Sequence, residues 1–381
     1  MRAVALALAV LLAACAQPPT RTEPSPSPTH EAGALDVSVL LDLSGARAAI
    51  GTAQRNAMQI WLDQHSRGTA IKTRVKFVDL ASADGRAIVE LRRAAVEDRA
   101  DAVIIGAPLD YDDTFARALE VAQLPVLLTL PAEPTGRWVF GLAPTYAELA
   151  RLAIDDVSAR KLLGPTLLVT DESATAVAER IAISRELERR GVMRLTPVAV
   201  NAQDAAQRIR AGASLAKSIL FVGSSATFTE AMRSLAASGI TPRAYFPYVT
   251  ETADLSALRE AQPMVTWPGS RNIVTFAVLS ASSSFLQTYT DRHGAASTPA
   301  ATAYDALALL DATAASGTDR VMLRDRLETL TFAGVATRYS FTPMRHSGFA
   351  VADLAYLRWI TAGLGRTGIA LAPEPEPKEE R

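Results

Sequence analysis

The sequence is poor in the residues that build disulfide, metal or nucleic-acid sites. It has 381 residues but a single cysteine, Cys15, so it cannot form an intramolecular disulfide framework. Its four histidines, at positions 30, 65, 293 and 346, are scattered and lack the spacing of metal ligands. The formal net charge is −1, and no basic patch with interleaved aromatic residues occurs. We therefore expect no bound metal, no cofactor and no nucleic-acid partner.

The sequence also lacks the short motifs of the common enzyme classes. It contains no G-x-S-x-G nucleophile elbow, no Walker loop, no G-x-G-x-x-G after a predicted strand and no H-E-x-x-H. Serine, aspartate and histidine all occur, but no spacing joins them into a catalytic set. We therefore predict that the protein is not an enzyme. Beyond the first fifteen residues, no apolar run is long enough for a transmembrane helix.

The amino terminus has the features of a secretory signal. Arg2 precedes an apolar stretch, Ala3 to Leu12, that is too short to span a bilayer as a mature helix. The following Ala13-Ala14-Cys15 completes a sequence that resembles a bacterial lipobox, in which the cysteine is acylated and becomes the first residue of the mature protein. We predict a lipoprotein signal peptide at residues 1–15, with Cys15 as the anchor in the lipid bilayer. An ordinary signal peptide with a chance cysteine is the alternative.

Two proline-rich polar segments flank the rest of the chain. Residues 16–33 read AQPPTRTEPSPSPTHEAG, and the chain ends with PEPEPKEER. Such segments cannot bury enough apolar surface to fold. We predict a disordered tether at 16–34 and a disordered tail at 367–381. The body between them is long enough for a large core and two lobes.

The body opens with a pattern that points to a binding site. Residues 36–62 read as a buried strand, a tight turn and an amphipathic helix. The strand is too continuously apolar to have one wet face, so it fits a parallel strand with helices on both sides. Ser44-Gly45 falls at its carboxyl end, where open α/β sheets bind their ligands. A plain structural turn is the alternative at this position.

Strand and helix patterns alternate along the body, and the series starts again at Thr145. This alternation predicts an α/β fold with two doubly wound parallel sheets. Helices near the end of the body and two late strands, near 337–341 and 349–360, can cross back and complete both lobes. The other predicted strands are 74–79, 101–106, 125–130 and 138–142 in the first series, and 165–171, 195–200, 218–223 and 243–249 in the second.

An ordered set of motifs resembles the branched-chain amino-acid-binding family, which are type I periplasmic solute-binding proteins of ABC transporters. The motifs run collinearly from about residue 35 to 364. They are Leu43-Ser44-Gly45 with Gly51, DAVIIGAP at 101–108, LPVLLTLPAEP at 124–134, SILFVGSSATFTEAMRSLAASGI at 218–240 and ATAYDALALLDATAASG at 301–317.

The resemblance implies two lobes joined by three chain crossings that act as a hinge. The crossings are expected near Leu142, near 267–272 and near 341–347. Lobe 1 would comprise residues 35–142 and 272–341, and lobe 2 residues 143–271 and 342–366. A small-molecule ligand would lie in the cleft and be captured by hinge closure, and the closed form would dock on an ABC permease in the cytoplasmic membrane. The protein would be extracytoplasmic, in the periplasm or on the cell surface.

The resemblance also implies a set of cleft residues, drawn from the strand ends of both lobes. Asp110, Ser224 and Ser225 suit either capping or ligand contact, and Glu133 suits either a ligand contact or an exposed loop charge. The expected ligand-binding residues are Ser44, Gly45, Leu109, Asp110, Thr129, Ala132, Glu133, Tyr146, Ser224, Ser225, Tyr248 and Glu251.

The residue types at these positions leave the ligand open. The carboxylates of Asp110, Glu133 and Glu251 and the neighbouring tyrosines would suit a cationic, amide-bearing or polyol-like solute as well as an amino acid. A sensor or regulator of envelope enzymes with the same architecture is the main alternative to a transport protein. A carrier of a larger, less polar ligand is a third possibility, because Leu109, Leu130 and Ala132 leave room for it. Neighbouring permease and ATPase genes would favour transport.

Overall fold

The computed structural model describes residues 33–65, 71–109, 113–171, 173–192, 195–199, 204–223, 243–245, 247–248, 265–274, 283–361 and 367–374. Cys15, the predicted signal peptide and nearly all of the predicted tether lie outside these ranges. Within them, none of the helices combines the length and apolar character needed to cross a membrane.

The first sheet, sheet 1, is entirely parallel. Its strand order is β2-β1-β3-β4-β5, so the first strand lies inside the sheet and the chain winds outwards in both directions. The register places Val39 opposite Phe77 of β2 and Ile104 of β3. The strands are β1 (Ala34–Leu41), β2 (Lys72–Asp79), β3 (Ala102–Gly106), β4 (Val126–Leu128) and β5 (Val139–Gly141).

Helices cover both faces of sheet 1, as the apolar strands require. Because side chains alternate along a strand, Val39 and Leu40 point to opposite faces. Val39 packs in one hydrophobic cluster with Met58 and Leu307, whereas Leu40 packs in another with Leu91. The helices concerned are α1 (Ala48–His65), α2 (Arg86–Val96), α3 (Asp113–Ala122) and, from late in the chain, α8 (Thr298–Ala314).

The second sheet, sheet 2, repeats this winding and adds two antiparallel strands. Its order is β14-β13-β10-β9-β8-β6-β7. The strands from β6 to β10 pair in parallel, while β13 pairs antiparallel with β10 and with β14. The strands are β6 (Thr166–Thr170), β7 (Leu195–Ala199), β8 (Ser218–Val222), β9 (Arg243–Tyr245), β10 (Val265–Ser270), β13 (Leu354–Thr361) and β14 (Thr367–Leu371).

Sheet 2 also has helices on both faces. Leu168 and Val222 pack with Ile154 and Ile183 on one side, and Phe221 packs with Ile209 on the other. The helices around sheet 2 are α4 (Tyr146–Ala159), α5 (Ala174–Arg189) and α6 (Ala205–Leu215). The remaining elements are α7 (Ser283–His293), α9 (Arg320–Leu327) and the small antiparallel pair β11 (Thr331–Ala333) and β12 (Arg338–Ser340).

Three details of the sequence prediction need correction. The tail predicted to be disordered from residue 367 begins with β14, which pairs antiparallel with β13. Sheet 2 is therefore mixed rather than wholly parallel, because a short connection such as the one after β13 suits an antiparallel partner, whereas a parallel one needs a long crossover. The strands β10 and β11 were not predicted from their sequences.

The chain passes between the two sheets at three places. It leaves sheet 1 after β5 and enters α4 through residues 142–145; it leaves sheet 2 after β10; and it returns from β12 to β13 through residues 341–353. The predicted crossings lie in or beside these segments. The lobe boundaries themselves stay a prediction.

A buried carboxylate, Asp305 on α8, bonds the segment that joins β11 to β12, close to the end of β10. It accepts hydrogen bonds from the N–H groups of Val335 and Ala336 at 2.6 and 2.8 Å and from the hydroxyl of Tyr339 at 2.9 Å. The carbonyl of Ala336 in turn accepts from the hydroxyl of Ser270, at the end of β10. Burial raises the pKa of Asp305 to about 7, although these three hydrogen bonds act to lower it. Asp305 therefore fixes the turn between β11 and β12, and through Ala336 it holds this turn beside the end of β10, where the chain leaves sheet 2.

Candidate functional site

The carboxyl edges of the two sheets meet where β5 passes into α4. Strand β5 ends at Gly141, and α4 begins only five residues later at Tyr146. Because α4 precedes β6 and packs on sheet 2, its amino terminus lies at the carboxyl edge of that sheet. Ligands of open α/β sheets bind at such edges, so the space between them is the candidate site.

At the edge of sheet 1, the predicted turn Ser44-Gly45 is held by Asp79 at the end of β2. The Ser44 hydroxyl donates to the Asp79 carboxylate at 2.6 Å, and the N–H groups of Leu43 and Ala81 donate to the same carboxylate at 2.9 and 2.7 Å. These hydrogen bonds, that of the Ser44 hydroxyl foremost, lower the pKa of Asp79 to about 2. The hydroxyl predicted to contact a ligand is therefore already engaged within the protein.

Gly45 is required by the closeness of the loop after β2. Its φ of +80° is left-handed, and a Cβ there would lie 2.8 Å from the carbonyl oxygen of Ala81 and 2.8 Å from the Ser82 side chain. Ser82 donates its hydroxyl proton to the Ser44 carbonyl at 2.9 Å. Arg47, in the same loop, donates to the buried Asp42 carboxylate at 2.7 Å. The loops after β1 and β2 thus form one preorganised wall.

Thr129, after β4, lies in the core rather than on a surface. It is fully buried, and its hydroxyl donates to Gln54 Oε1 at 2.5 Å, while Gln54 Nε2 donates to the Gly106 carbonyl at 2.7 Å. The Thr129 carbonyl accepts from Thr302 on α8 at 3.0 Å. This buried network holds the ends of β3 and β4 against α1 and α8. The sequence analysis did not single out Gln54. The feature that could have indicated it is a polar residue among the apolar residues on the buried face of a helix.

Glu133 bridges the two sheets at their carboxyl edges. It belongs to the loop after β4, and its Oε1 accepts a hydrogen bond from the N–H of Ala147 in the first turn of α4 at 3.3 Å. Although the residue as a whole is exposed, burial of its carboxyl group raises its pKa, assisted by repulsion from Glu148 and opposed by the N–H groups of Ala147 and Tyr146. A carboxylate of the protein itself thus occupies the start of this helix.

The start of α4 carries further caps. Thr145 accepts from the N–H of Glu148 at 3.2 Å, and the Glu148 carboxylate accepts from the N–H of Thr145 at 2.8 Å, which together form a capping box. With Glu133 added, the N–H groups that a ligand carboxylate would use are already bonded. These hydrogen bonds hold the start of α4 against the loop after β4.

The other described candidates separate into two groups. Leu109 and Ala132 pack in the hydrophobic cluster between sheet 1 and helices α2 and α3, with Ala132 buried and Leu109 half-buried. Tyr146 and Tyr248 are buried on the side of sheet 2 and line one cavity there. The candidates Asp110, Ser224, Ser225 and Glu251, and the predicted anchor Cys15, lie outside the described residues.

The cavity on the side of sheet 2 contains a carboxyl group that sequence reasoning missed. Glu179 on α5 is 6% exposed and accepts a hydrogen bond from the N–H of Gly223 at 3.0 Å, at the carboxyl end of β8. Burial raises the pKa of Glu179 to about 8, and the charge of Asp171 adds to the effect. The signal in the sequence is its place on the buried face of α5, between Ala176 and Ile183.

Comparisons with known proteins agree with this architecture. The family model described as periplasmic binding protein matches residues 35–363. A search of curated protein sequences found no significant match. Solved structures of similar fold include the leucine-binding protein LivK from Thermotoga maritima, with a TM-score of 0.72 and 15% identity, over 90% of this chain and 99% of that one.

Two further structures resemble the chain to the same degree. The branched-chain amino acid transporter substrate-binding protein LivJ from Streptococcus pneumoniae, solved with isoleucine, has a TM-score of 0.72 and 16% identity, over 89% of this chain and 99% of that one. An ABC transporter substrate-binding protein from Sphaerobacter thermophilus has a TM-score of 0.71 and 17% identity, over 89% and 97%. The predicted resemblance and the predicted fold class are confirmed: this chain belongs to the periplasmic binding protein family and has its two-sheet type I fold.

Proposed function

We propose that this protein is the substrate-binding component of an ABC importer and captures a small polar or amino-acid-like solute between its two lobes. Membership of a substrate-binding family supports this role, as do neighbours described as transporter substrate-binding proteins. The observation that carries the proposal is the meeting of two carboxyl edges beside three chain crossings. Such an arrangement suits capture by hinge closure.

In this proposal, the solute lies between the loops after β1, β3 and β4 on one side and the turns after β8 and β9 on the other. The preorganised Ser44-Gly45 wall gives one rigid surface, and the tyrosines on the side of sheet 2 give an aromatic one. The proposed contact residues remain Ser44, Gly45, Leu109, Asp110, Ala132, Glu133, Tyr146, Ser224, Ser225, Tyr248 and Glu251. Thr129, whose hydroxyl is bonded to Gln54 in the core, is proposed to support the end of β4 rather than to contact the solute.

The proposed location is extracytoplasmic, with acylated Cys15 in the bilayer and the body in water near a permease. Metabolic labelling of the full chain with a radioactive fatty acid in a bacterial host tests the anchor. The label is expected in the wild-type protein and in a T20A tether variant, and it should be lost in C15S. A labelled C15S protein would contradict the anchor, because the chain has no other cysteine.

A thermal-shift screen tests solute capture. The chain from residue 15 onward, as C15S, is heated with amino acids, amides, polyamines, sugars or nucleosides. A solute that binds only the folded state increases the free energy of unfolding by mass action, by about 2.7 kcal/mol when its concentration is 100 times its Kd. The Tm of the protein rises as a result. One chemical class is expected to raise Tm. A folded protein that responds to none of these classes would contradict small-solute import.

One observation favours a second candidate, a sensor or regulator of envelope enzymes that does not transport. The Ser44 hydroxyl and the first turn of α4, both suited to a ligand carboxylate, are already bonded to Asp79 and Glu133. A site committed in this way is less suited to an ordinary amino acid. Recovery of an envelope enzyme rather than a permease after cross-linking in cells would favour this second role.

A further inference from the structure

A small cavity lies between sheet 2 and helices α4 and α5. Its volume is about 40 Å³, which is slightly more than the roughly 30 Å³ that one water molecule takes up in the liquid. Its described lining includes four tyrosines, Tyr146 from α4, Tyr245 from β9, Tyr248 from the turn after β9 and Tyr356 from β13. The other described lining residues, apart from Glu179, are aliphatic residues, proline and phenylalanine. The cavity is therefore an aromatic and apolar one.

Among the described residues that line this cavity, Glu179 is the one with a carboxyl group. It is 6% exposed, and its bonded partner is the N–H of Gly223. Within the part of the chain that the structure describes, no lysine, arginine or histidine pairs with it, and the charge that acts on it is the like charge of Asp171. Ionising a buried carboxyl group with no cation beside it is costly, so the ionised form of Glu179 lacks a partner that a bound cation would supply.

A cation in the cavity would complete it. An ammonium group supplies three N–H donors to a carboxylate, and phenol rings attract cations through their π-systems. The volume of about 40 Å³ admits a primary ammonium group with one adjoining carbon, but not a bulky quaternary ammonium. The rest of such a molecule must lie outside, towards the carboxyl edge where Tyr146 and Gly223 are found.

We infer that this cavity binds the primary ammonium end of an aliphatic amine, with the nitrogen against the carboxylate of Glu179. The inference rests on the proposed function, since it names the chemical class of the solute. It also gives the Gly223 turn a role, because the same carboxylate holds that turn at the edge of the candidate site.

Binding in this way releases a proton. Because the pKa of Glu179 is about 8, the carboxyl group is mostly protonated at pH 7. When the ammonium group binds beside the oxygen atoms of Glu179, the carboxyl group of Glu179 releases its proton to the buffer. The ammonium group keeps all of its own protons. Affinity should therefore rise about tenfold per pH unit between pH 6 and 7 and level off above pH 8. Among the described residues, the other titratable groups around Glu179 are Asp171 and these four tyrosines.

Calorimetric titration of the C15S chain with n-butylamine, 1,4-diaminobutane and uncharged n-butanol tests the inference. Both amines are expected to bind and to release close to one proton at pH 6.5, measured by comparing buffers of different ionisation enthalpy, whereas n-butanol should not bind. E179Q keeps an acceptor for the Gly223 N–H and should lose amine affinity at least tenfold. E188Q changes an exposed glutamate on the same helix and should bind as the wild type does.

A second pair of variants does not depend on the folding of E179Q. Y356L removes an aromatic ring and should weaken amine binding several-fold, while Y356F keeps the ring and should not. Equal binding of butylamine and butanol, or unchanged binding in E179Q, would overturn the inference. Absence of amine binding in a protein that responds to another solute in the thermal screen overturns this inference alone. Absence of any response overturns the proposed function as well.

Discussion

Glu133 Oε1 accepts a hydrogen bond from the N–H of Ala147 at 3.3 Å, and this contact joins the loop after β4 to the first turn of α4. It places a carboxylate of the protein at a helix start, which is a favourable position for an anion. The chain therefore holds the loop after β4 against the start of α4 with a carboxylate of its own.

The first prediction concerns the cap that Glu133 provides. E133A should lower the free energy of unfolding by about 0.5–1 kcal/mol, because it removes an acceptor from the start of α4. E133Q keeps an acceptor oxygen and should lose less. Urea unfolding measures both, with E188A on an exposed part of α5 as the matched control. If E133A and E188A unfolded at the same urea concentration, the cap would have no energetic role.

The second prediction concerns Asp79, whose pKa is about 2 chiefly because of the Ser44 hydroxyl. S44A should raise the pKa of Asp79 towards its ordinary value of 3.8. S82A should leave it low, because the Ser82 hydroxyl donates to the Ser44 carbonyl instead. Carboxyl carbon chemical shifts followed by NMR between pH 1.5 and 6 give both values. If the pKa of Asp79 stayed at about 2 in S44A, the Ser44 hydroxyl would not be the group that holds the turn.

Asp79 also affects acid stability. Its folded pKa lies below the unfolded one, so its contribution is present above about pH 4 and is lost as the pH falls through about 2. Stability of S44A should therefore depend less on pH in this window than that of S82A.

The third prediction concerns Glu179, whose pKa is raised from 4.5 to about 8, mainly by burial. The folded pKa lies above the unfolded one, so its contribution to stability is full below about pH 4.5 and is lost as the pH rises through about 8. Relative to E179Q, the wild type should lose a few kcal/mol of unfolding free energy between pH 5 and 8. Urea unfolding at intervals of half a pH unit measures the difference, and E188Q should follow the wild type. Parallel curves for wild type and E179Q would mean that Glu179 does not titrate in this range.

The fourth prediction concerns Asp305, which bonds the segment between β11 and β12. D305A leaves two buried N–H groups and the Tyr339 hydroxyl without their acceptor and should cost about 2–4 kcal/mol. Because the Ala336 carbonyl also accepts a hydrogen bond from Ser270, the variant should loosen the contact between this turn and the end of β10. Hydrogen exchange should then increase at Val335 and Ala336 before the core strands exchange. D291A, at an exposed site on α7, is the control and should behave as the wild type.

The sequence was sufficient for the fold because the apolar strands and their order carry it. Continuous apolar runs such as Ala102 to Ile105 favour parallel strands that are covered by helices on both faces. The antiparallel pairing of β13 and β14 was harder to predict, because the pairing of a late segment depends on which sheet edge the chain reaches after it crosses between the sheets. A proline-rich ending also conceals the short strand Thr367–Leu371.

The candidate site was harder to predict than the fold. A serine or threonine after a strand looks the same in sequence whether it faces a ligand or the core, and Thr129 turns out to bond Gln54 within the core. Glu179 escaped prediction because a glutamate on a helix is usually solvated, and its burial follows from how α5 meets sheet 2. Contacts between distant segments decided both cases.

The most direct test of solute capture by closure is small-angle X-ray scattering of the C15S chain during titration with the solute found by the thermal screen. The account predicts that the radius of gyration falls as the solute binds, with the same midpoint as the binding isotherm. A solute that saturates the protein without any change in the radius of gyration would contradict capture by hinge closure.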